Sequence, residues 1–259
     1  MTEPYEILAT LYDGAGWATF AEGMVDRVLT LAAEHGLGKI EHIVDVACGT
    51  GIAAAKFASA GCRVTGVDRS PQMLAQASKR VAETGVTGVT LVEADMRDFA
   101  LDEPADLVTC MYDSLNYLLK EMDLLAAFRC AAKALRSGGL YIFDMNTIFG
   151  LAEGWSSRDF IRWDSDDCFI VGRTCWNYEC LTNTLTLHGF IRRGELWERF
   201  AEAHTQRGYP VATLRASLES AGLAVLAICN PFAEGTAEAE SEVGRVLIVA
   251  QKTQGGKGQ

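Results

Sequence analysis

Residues 17–36 (WATFAEGMVDRVLTLAAEHG) repeat apolar positions at helical spacing and end on Gly36, which predicts a helix with a glycine C-cap. The pattern then changes to short, nearly continuous apolar runs. HIVDVA (42–47), CRVTGVD (62–68), VTLVEAD (89–95), ADLVTCMYD (105–113) and LYIFDMN (140–146) read as strands. Between them, IAAAKFASAG (52–61), the stretch from Ser70-Pro71 to about Glu83, and residues 121–136 read as helices. Strands that alternate with helices of this length predict parallel βαβ units with strands buried on both faces.

After Asn146 the period shortens to two. CFIVGRTCWNYEC (168–180), TLTLHGFIRR (184–193) and LWERFAEAHTQ (196–206) alternate, with Thr182-Asn183 and Gly194-Glu195 as punctuation, and predict an antiparallel meander. This block holds four of the five tryptophans, Trp155, Trp163, Trp176 and Trp197. A helix over 210–221, closed by Gly222, and two strands, 223–229 and 245–251, complete the pattern around an acidic loop at 234–242.

Composition narrows the class. The chain has 259 residues and 34 acids against 23 Lys and Arg, a net charge of −11. That balance argues against nucleic acid as a partner, because duplex affinity comes from cations that neutralise phosphates. No window approaches about 18 uninterrupted apolar residues, so no membrane span is expected. No basic n-region opens the chain, which points to the cytoplasm. The eight cysteines form no C-x-x-C pair and the four histidines show no ligand spacing, so neither disulfides nor a metal site is expected.

The most informative segment is VDVACGTGIAAA. A Gly-rich turn between strand and helix brings a ligand close to the backbone and aims N–H groups at it. Gly49 to Ala54 fit G-x-G-x-x-A, the dinucleotide fingerprint, and Asp68 ends the next strand where a ribose-binding acid belongs. Two cofactors suit such a loop. A nicotinamide dinucleotide would put a pyrophosphate over the glycines and imply an oxidoreductase. S-adenosylmethionine has no phosphate and presents an amino acid, a diol and an adenine. The acids Asp45, Asp68, Asp95 and Asp113 lie in or after four successive predicted strands, and this acceptor-rich crevice favours S-adenosylmethionine.

These segments resemble the class I S-adenosylmethionine-dependent methyltransferases over most of the chain. VDVACGTG is similar to the family's first motif, VDRSPQML to its acid-led second, and EADMRDF to its adenine-side third; TCMYDSLNYL and LRSGGLYIFDMNT resemble its fourth- and fifth-strand segments. Ala47 stands where the first glycine of D-x-G-x-G is usual. YEILATLYD, YDSLNYL and AEAHTQRGYPVATLRASLESAGL further resemble small-molecule enzymes allied to glycine N-methyltransferase and bacterial sugar-amine N-methyltransferases.

The resemblance implies a Rossmann-like, doubly wound, mostly parallel sheet with an antiparallel β insertion after strand five. It divides the chain into an α/β domain (1–146 and 209–253), a substrate-covering insertion (147–208) and a disordered tail (254–259). The activity it implies is methyl transfer to N or O of a small-molecule acceptor, without nucleic acid or membrane, with a homodimer left open. A methyltransferase-like module that binds without catalysing is the remaining alternative.

The resemblance also assigns roles. Ala47, Cys48, Gly49 and Gly51 meet the methionine part of the cofactor, Asp68 takes the ribose hydroxyls with Arg69 alongside, and Met73 lies near the adenine. Asp95 and the Met96 backbone read the adenine, Cys110 and Met111 lie near the sulfonium, and Tyr12 closes over the cofactor. Around the acceptor the candidates are Trp17, Asp113, Asn116, Tyr117, Asn146, Trp163, Trp176, His188, His204 and Arg207. His204, Asn116 and Tyr12 are the candidate catalytic groups. His204 is the best base by chemistry, since an imidazole ordinarily titrates near about 6.5. A lone histidine on an alternating strand also suits a purely structural role, and tryptophans along a meander suit its core.

Overall fold

A computed structural model describes residues 4–17, 19–154, 158–232 and 243–253. Trp155, the acidic loop at 234–242 and the tail from 254 lie outside the described residues. Two sheets form. The larger has seven strands in the order β10-β11-β5-β4-β1-β2-β3, and the smaller four in the order β6-β7-β8-β9.

In the larger sheet, β1 (His42–Val46), β2 (Arg63–Asp68), β3 (Val89–Glu93), β4 (Ala105–Cys110) and β5 (Leu135–Asn146) run parallel. β11 (Arg245–Lys252) pairs antiparallel with β5, and β10 (Leu223–Cys229) with β11. All five residues of β1 are buried, as its unbroken apolar run requires. The connection reverses direction between β1 and β4, which opens a crevice beyond the strands' carboxyl ends.

Helices cover both faces. α1 (Thr19–Glu34) and α2 (Ile52–Ser59) pack Val28, Leu31, Ala54 and Phe57 against Ile43, Leu107 and Leu247 on one face. α4 (Glu121–Ala134) and α5 (Val211–Ser220) pack Leu124, Phe128, Leu214 and Leu218 against Val108, Tyr141 and Phe143 on the other. α3 (Pro71–Thr84) starts where Ser70 accepts the Met73 N–H and Pro71 supplies a preformed φ, and it ends at Gly85 in the left-handed region. No helix among the described residues is long and apolar enough to cross a membrane.

Two expected boundaries move. β4 stops at Cys110, three residues early, because Tyr112 and Asp113 turn to positive φ. β5 begins at Leu135, ahead of the strand expected from Leu140 and inside the last turn of the expected helix.

The smaller sheet is inserted after β5. β7 (Cys168–Asn177), β8 (Thr182–Arg193) and β9 (Leu196–Arg207) form the expected meander, and β6 (Asp159–Asp164) adds an edge that the alternation did not reveal. A register shift between Ile161 and Trp163 puts β6 out of step, and charged residues occupy three of its six positions. The inner face packs Ile170, Leu185, Leu187 and Phe200 against Leu8, with Tyr5, Tyr12 and Trp17 at the margin. The N-terminal segment therefore lies between the two sheets.

Candidate functional site

A cavity of about 1050 Å³, including its open mouth, sits at the carboxyl ends of β1 to β4. Ala47, Cys48 and Gly49 line it after β1, Asp68, Arg69 and Ser70 after β2, Ala94, Asp95 and Met96 after β3, and Met111 and Tyr112 after β4. Met73, Tyr12 and Tyr117 close its sides.

The loop after β1 takes positive φ at Ala47, Gly49 and Gly51. A left-handed alanine is strained, so the surrounding loop must hold Ala47 there. A Cβ on Gly49 would meet nothing within 4 Å, whereas one on Gly51 would lie 2.8 Å from the Ala77 Cβ. Gly51 thus serves the packing of α2 on α3 and does not line the cavity.

Asp68 accepts the N–H groups of Gly49 and Ser70, both at 2.8 Å, so it shapes the loop as well as facing the cavity. Burial raises its pKa, and these donors with Arg69 only partly offset that. Asp45 is fully enclosed, accepts from the Thr109 hydroxyl at 2.8 Å, and is pushed by burial up to about 7. Asp95 is clasped by Arg97 (Nε at 2.8 Å, the second nitrogen at 2.7 Å), which holds its carboxyl below the ordinary range. Thr50, absent from the sequence candidates, lines the cavity and donates to Asp13 at 2.8 Å, while Arg80 pairs with Asp13 and bonds the Thr50 carbonyl.

A second cavity, about 470 Å³ with its mouth, adjoins the first. Leu8, Trp17, Asp113, Leu185, Leu187, His204 and Gln206 line it, and Tyr5, Tyr12, Tyr112 and Tyr117 line both. Tyr117 Oη lies 2.6 Å from Tyr5 Oη and 3.1 Å from His204 Nδ1. Burial raises both phenols well above their ordinary range, so they stay protonated near neutrality. Glu202 follows the same inner face of β9 two residues before His204 and accepts the backbone N–H groups of Tyr5, Ile7 and Leu8. Burial alone would push its carboxyl up; the His204 ring and the three N–H donors outweigh that and hold it below the usual range. Tyr5 and Glu202 were not among the sequence candidates. The alternation of Glu202, His204 and Gln206 on one strand face was the signal available for Glu202.

Several candidates lie elsewhere. Cys110 does not reach the cavity: it is fully buried in the core, with its thiol on Tyr141. Asn116 is a structural tie, accepting the Asn146 N–H and donating to the carbonyls of Asn146 and Arg207. Asn146 donates to Gln206 and lines neither cavity. Asp113 faces the second cavity, not the first; Arg245 pairs with it at 2.5 Å and also grips Asp144. Arg207 turns away to Glu121 and the Leu119 carbonyl. His188 points to the opposite side of the small sheet beside Arg199. Trp163 packs against Gly14 and the sheet core, and Trp176 is buried beside Tyr178, so neither lines a cavity. Trp17 does line the second cavity, stacked on Tyr12 at 5.7 Å with the Arg162 guanidinium on its ring.

The same chain plan occurs in known proteins. The methyltransferase-domain family model matches residues 43–139, the strand and helix units that build the first cavity. A protein of Geobacillus sp. (strain WCH70), provisionally named a methyltransferase, is 32% identical over 258 residues, 96% of this chain and 99% of that one. A crystal structure of an S-adenosylmethionine-dependent methyltransferase from Clostridium acetobutylicum ATCC 824 matches with a TM-score of 0.83 at 25% identity, covering 96% of this chain and 99% of that one. This chain belongs to the S-adenosylmethionine-dependent methyltransferases. Membership sets aside the nicotinamide reading of the glycine loop. Among the methyltransferases, the dTDP-3-amino-3,4,6-trideoxy-alpha-D-glucopyranose N,N-dimethyltransferase of Streptomyces venezuelae is 28% identical over 216 residues, 82% of this chain and 85% of that one.

The first cavity suits the family's cofactor on its own chemistry. Its lining holds three carboxylates, Asp45, Asp68 and Asp95, against one cation, Arg69, a balance that favours a sulfonium and an ammonium and opposes a pyrophosphate. The open space over Gly49 lets a ligand approach the backbone there.

Proposed function

We propose that this methyltransferase holds S-adenosylmethionine in the first cavity and methylates N or O of a small molecule in the second. The observation that carries this is the shared wall. Four tyrosines, Tyr5, Tyr12, Tyr112 and Tyr117, line both cavities, so a methyl group can pass between them inside a ring of side chains.

In this reading the Gly49 backbone and the carboxylate of Asp45 receive the amino-acid end of the cofactor, Asp68 the ribose diol, and Asp95 with Met96 and Met73 the adenine. Ala47, Cys48, Arg69 and Met111 complete the lining. The cofactor supplies an already activated methyl group, so the protein's task is alignment and exclusion of water. The rings of Trp17 and the four tyrosines present apolar faces to the acceptor, and the small sheet covers it through Leu185 and Leu187. An amine that arrives neutral needs no base before the transfer. A hydroxyl does, and the chain Tyr5–Tyr117–His204 provides a route. A proton leaving the acceptor for the Tyr117 oxygen is matched by the Tyr117 proton moving to His204 Nδ1.

Calorimetric titration with S-adenosylhomocysteine tests the cofactor half, and a folded protein that takes up none would refute it. Incubation with S-adenosylmethionine and either a dTDP-amino sugar, glycine or a phenol, read as S-adenosylhomocysteine released, tests the acceptor half. His204→Ala should depress turnover of a phenol far more than that of an amine.

A further inference from the structure

We propose that Glu202 is the positioning residue of this site, fixing the N-terminal wall of both cavities and the His204 ring with one carboxylate. The proposal rests on the cavity assignments above only for what the cavities hold. Glu202 is fully buried on β9. Its Oε1 accepts the N–H groups of Ile7 at 2.8 Å and Leu8 at 2.9 Å, and its Oε2 accepts that of Tyr5 at 2.9 Å. The same Oε2 stands 3.5 Å from His204 Nε2, too far for a full hydrogen bond and near enough for charge to be felt.

Each contact has a consequence. Tyr5 sits at φ 67°, a left-handed conformation that a bulky residue keeps only when its surroundings enforce it. The Glu202 bond to its N–H and the Tyr117 bond to its hydroxyl are the enforcement. Leu8, held next, opens the short 3-10 helix Leu8–Thr10 that leads to Tyr12 and Trp17. On the other side, His204 Nδ1 lies 3.1 Å from the Tyr117 hydroxyl; with that hydroxyl donating, Nε2 carries the hydrogen and faces Glu202. A proton arriving at Nδ1 makes an imidazolium beside a carboxylate that already bears its charge. The groups facing this carboxylate are therefore three amides, one imidazole and, beyond it, the phenols of Tyr5 and Tyr117; Asp113 lies farther along the same cavity. A carboxylate can satisfy all of these because each oxygen accepts twice. An amide of the same shape cannot.

The test compares the wild type with Glu202→Gln and His204→Ala by amide hydrogen exchange over residues 4–12 and by stopped-flow release of S-adenosylhomocysteine. In the wild type the Tyr5, Ile7 and Leu8 amides should be protected; free exchange there overturns the proposal without any variant. Glu202→Gln places an NH₂ against at least one of those N–H groups, and both exchange and S-adenosylhomocysteine release should quicken about tenfold, the scale of one charge-assisted hydrogen bond. His204→Ala should leave the exchange of these three amides near wild type, since none of them bonds the ring. The ¹⁵N spectrum of His204 should show the Nε2–H tautomer in the wild type and a mixture in Glu202→Gln, a change that mere loosening of the fold would not produce. Unchanged exchange in Glu202→Gln, or fast exchange with unchanged release, overturns the proposal. If the wild type binds no S-adenosylhomocysteine, the cofactor reading fails while the exchange arm still decides the role of Glu202.

Discussion

Asp45 and Glu202 are both buried carboxylates, one on each sheet, and their surroundings treat them oppositely. Asp45, at the carboxyl end of β1, has the single neutral hydroxyl of Thr109 and is driven up to about 7. Glu202, on β9, has three amides and an imidazole and is held low. The contrast extends to their neighbours. In the first cavity Asp68 is also raised by burial and met only partly by N–H donors and Arg69. Beside the second cavity, Asp113 and Asp144 share Arg245, and Asp113 takes Gln206 as well. Asp45 and Asp68, short of donors, face the first cavity, whereas Glu202, saturated by the protein, holds the protein together; Asp95 faces the first cavity too but is already clasped by Arg97.

The largest test of that division is Arg245→Ala. The guanidinium is buried between Asp113 and Asp144 and stacked on Phe20 and Tyr112, and its loss leaves two enclosed acids without a cation. Breaking such a pair from one side should cost about 3–5 kcal/mol in denaturant unfolding. A loss below about 1 kcal/mol would mean that these acids are not structural.

Next in size is the pH dependence that Asp45 imposes. Its folded pKa is raised, so between about pH 4 and pH 7 the native state binds the extra proton. The stability this contributes is full below the unfolded value and is lost as pH rises through about 7. Asp45→Asn should remove a fall on the order of 2–4 kcal/mol across that window. Equal slopes in the two proteins would contradict the assignment. S-adenosylhomocysteine carries an ammonium and should oppose the same fall by stabilising the ionised carboxylate.

The division also explains what could be read in advance. β1 to β4 and the core of β5 are short, mostly apolar runs with no competing period, and an acid at or just beyond a strand end stands out by its position. Asp68 and Asp95 were legible for that reason. On the small sheet the polar residues of the site are spread through alternating strands, where Glu202, His204 and Gln206 look like any strand face until β9 is seen turned inward. Their partners, the amides of Tyr5, Ile7 and Leu8, are nearly 200 positions away in a segment with no strong period of its own. The side-chain amide of Asn116 carried no sign that its partners would be backbone groups of Asn146 and Arg207.

Asp68→Ala probes the ligand-facing side directly. Removing the carboxylate takes away the acceptor for the Gly49 and Ser70 amides and the group assigned to the ribose. Affinity for S-adenosylhomocysteine should fall by about 2 kcal/mol, roughly thirtyfold. An unchanged dissociation constant would move Asp68 from the ligand-facing class to the structural one.

The smallest expected effect separates the same two classes within three residues of one loop. Gly49 and Gly51 both take positive φ, at 55° and 73°, so alanine at either should cost about 1 kcal/mol from backbone conformation alone. Beyond that the two should diverge. The new methyl group at Gly51 would press on the Ala77 Cβ, adding about 1 kcal/mol of packing strain between α2 and α3 without touching the cavity. At Gly49 it would project into open space, where the cofactor is assigned, and add no strain to the free protein. Gly51→Ala should therefore be the less stable variant with near-normal S-adenosylhomocysteine affinity, and Gly49→Ala the weaker binder with the smaller loss of stability. If both lose affinity equally, the loop moves as one piece, and the boundary between ligand-facing and structural groups does not run through it.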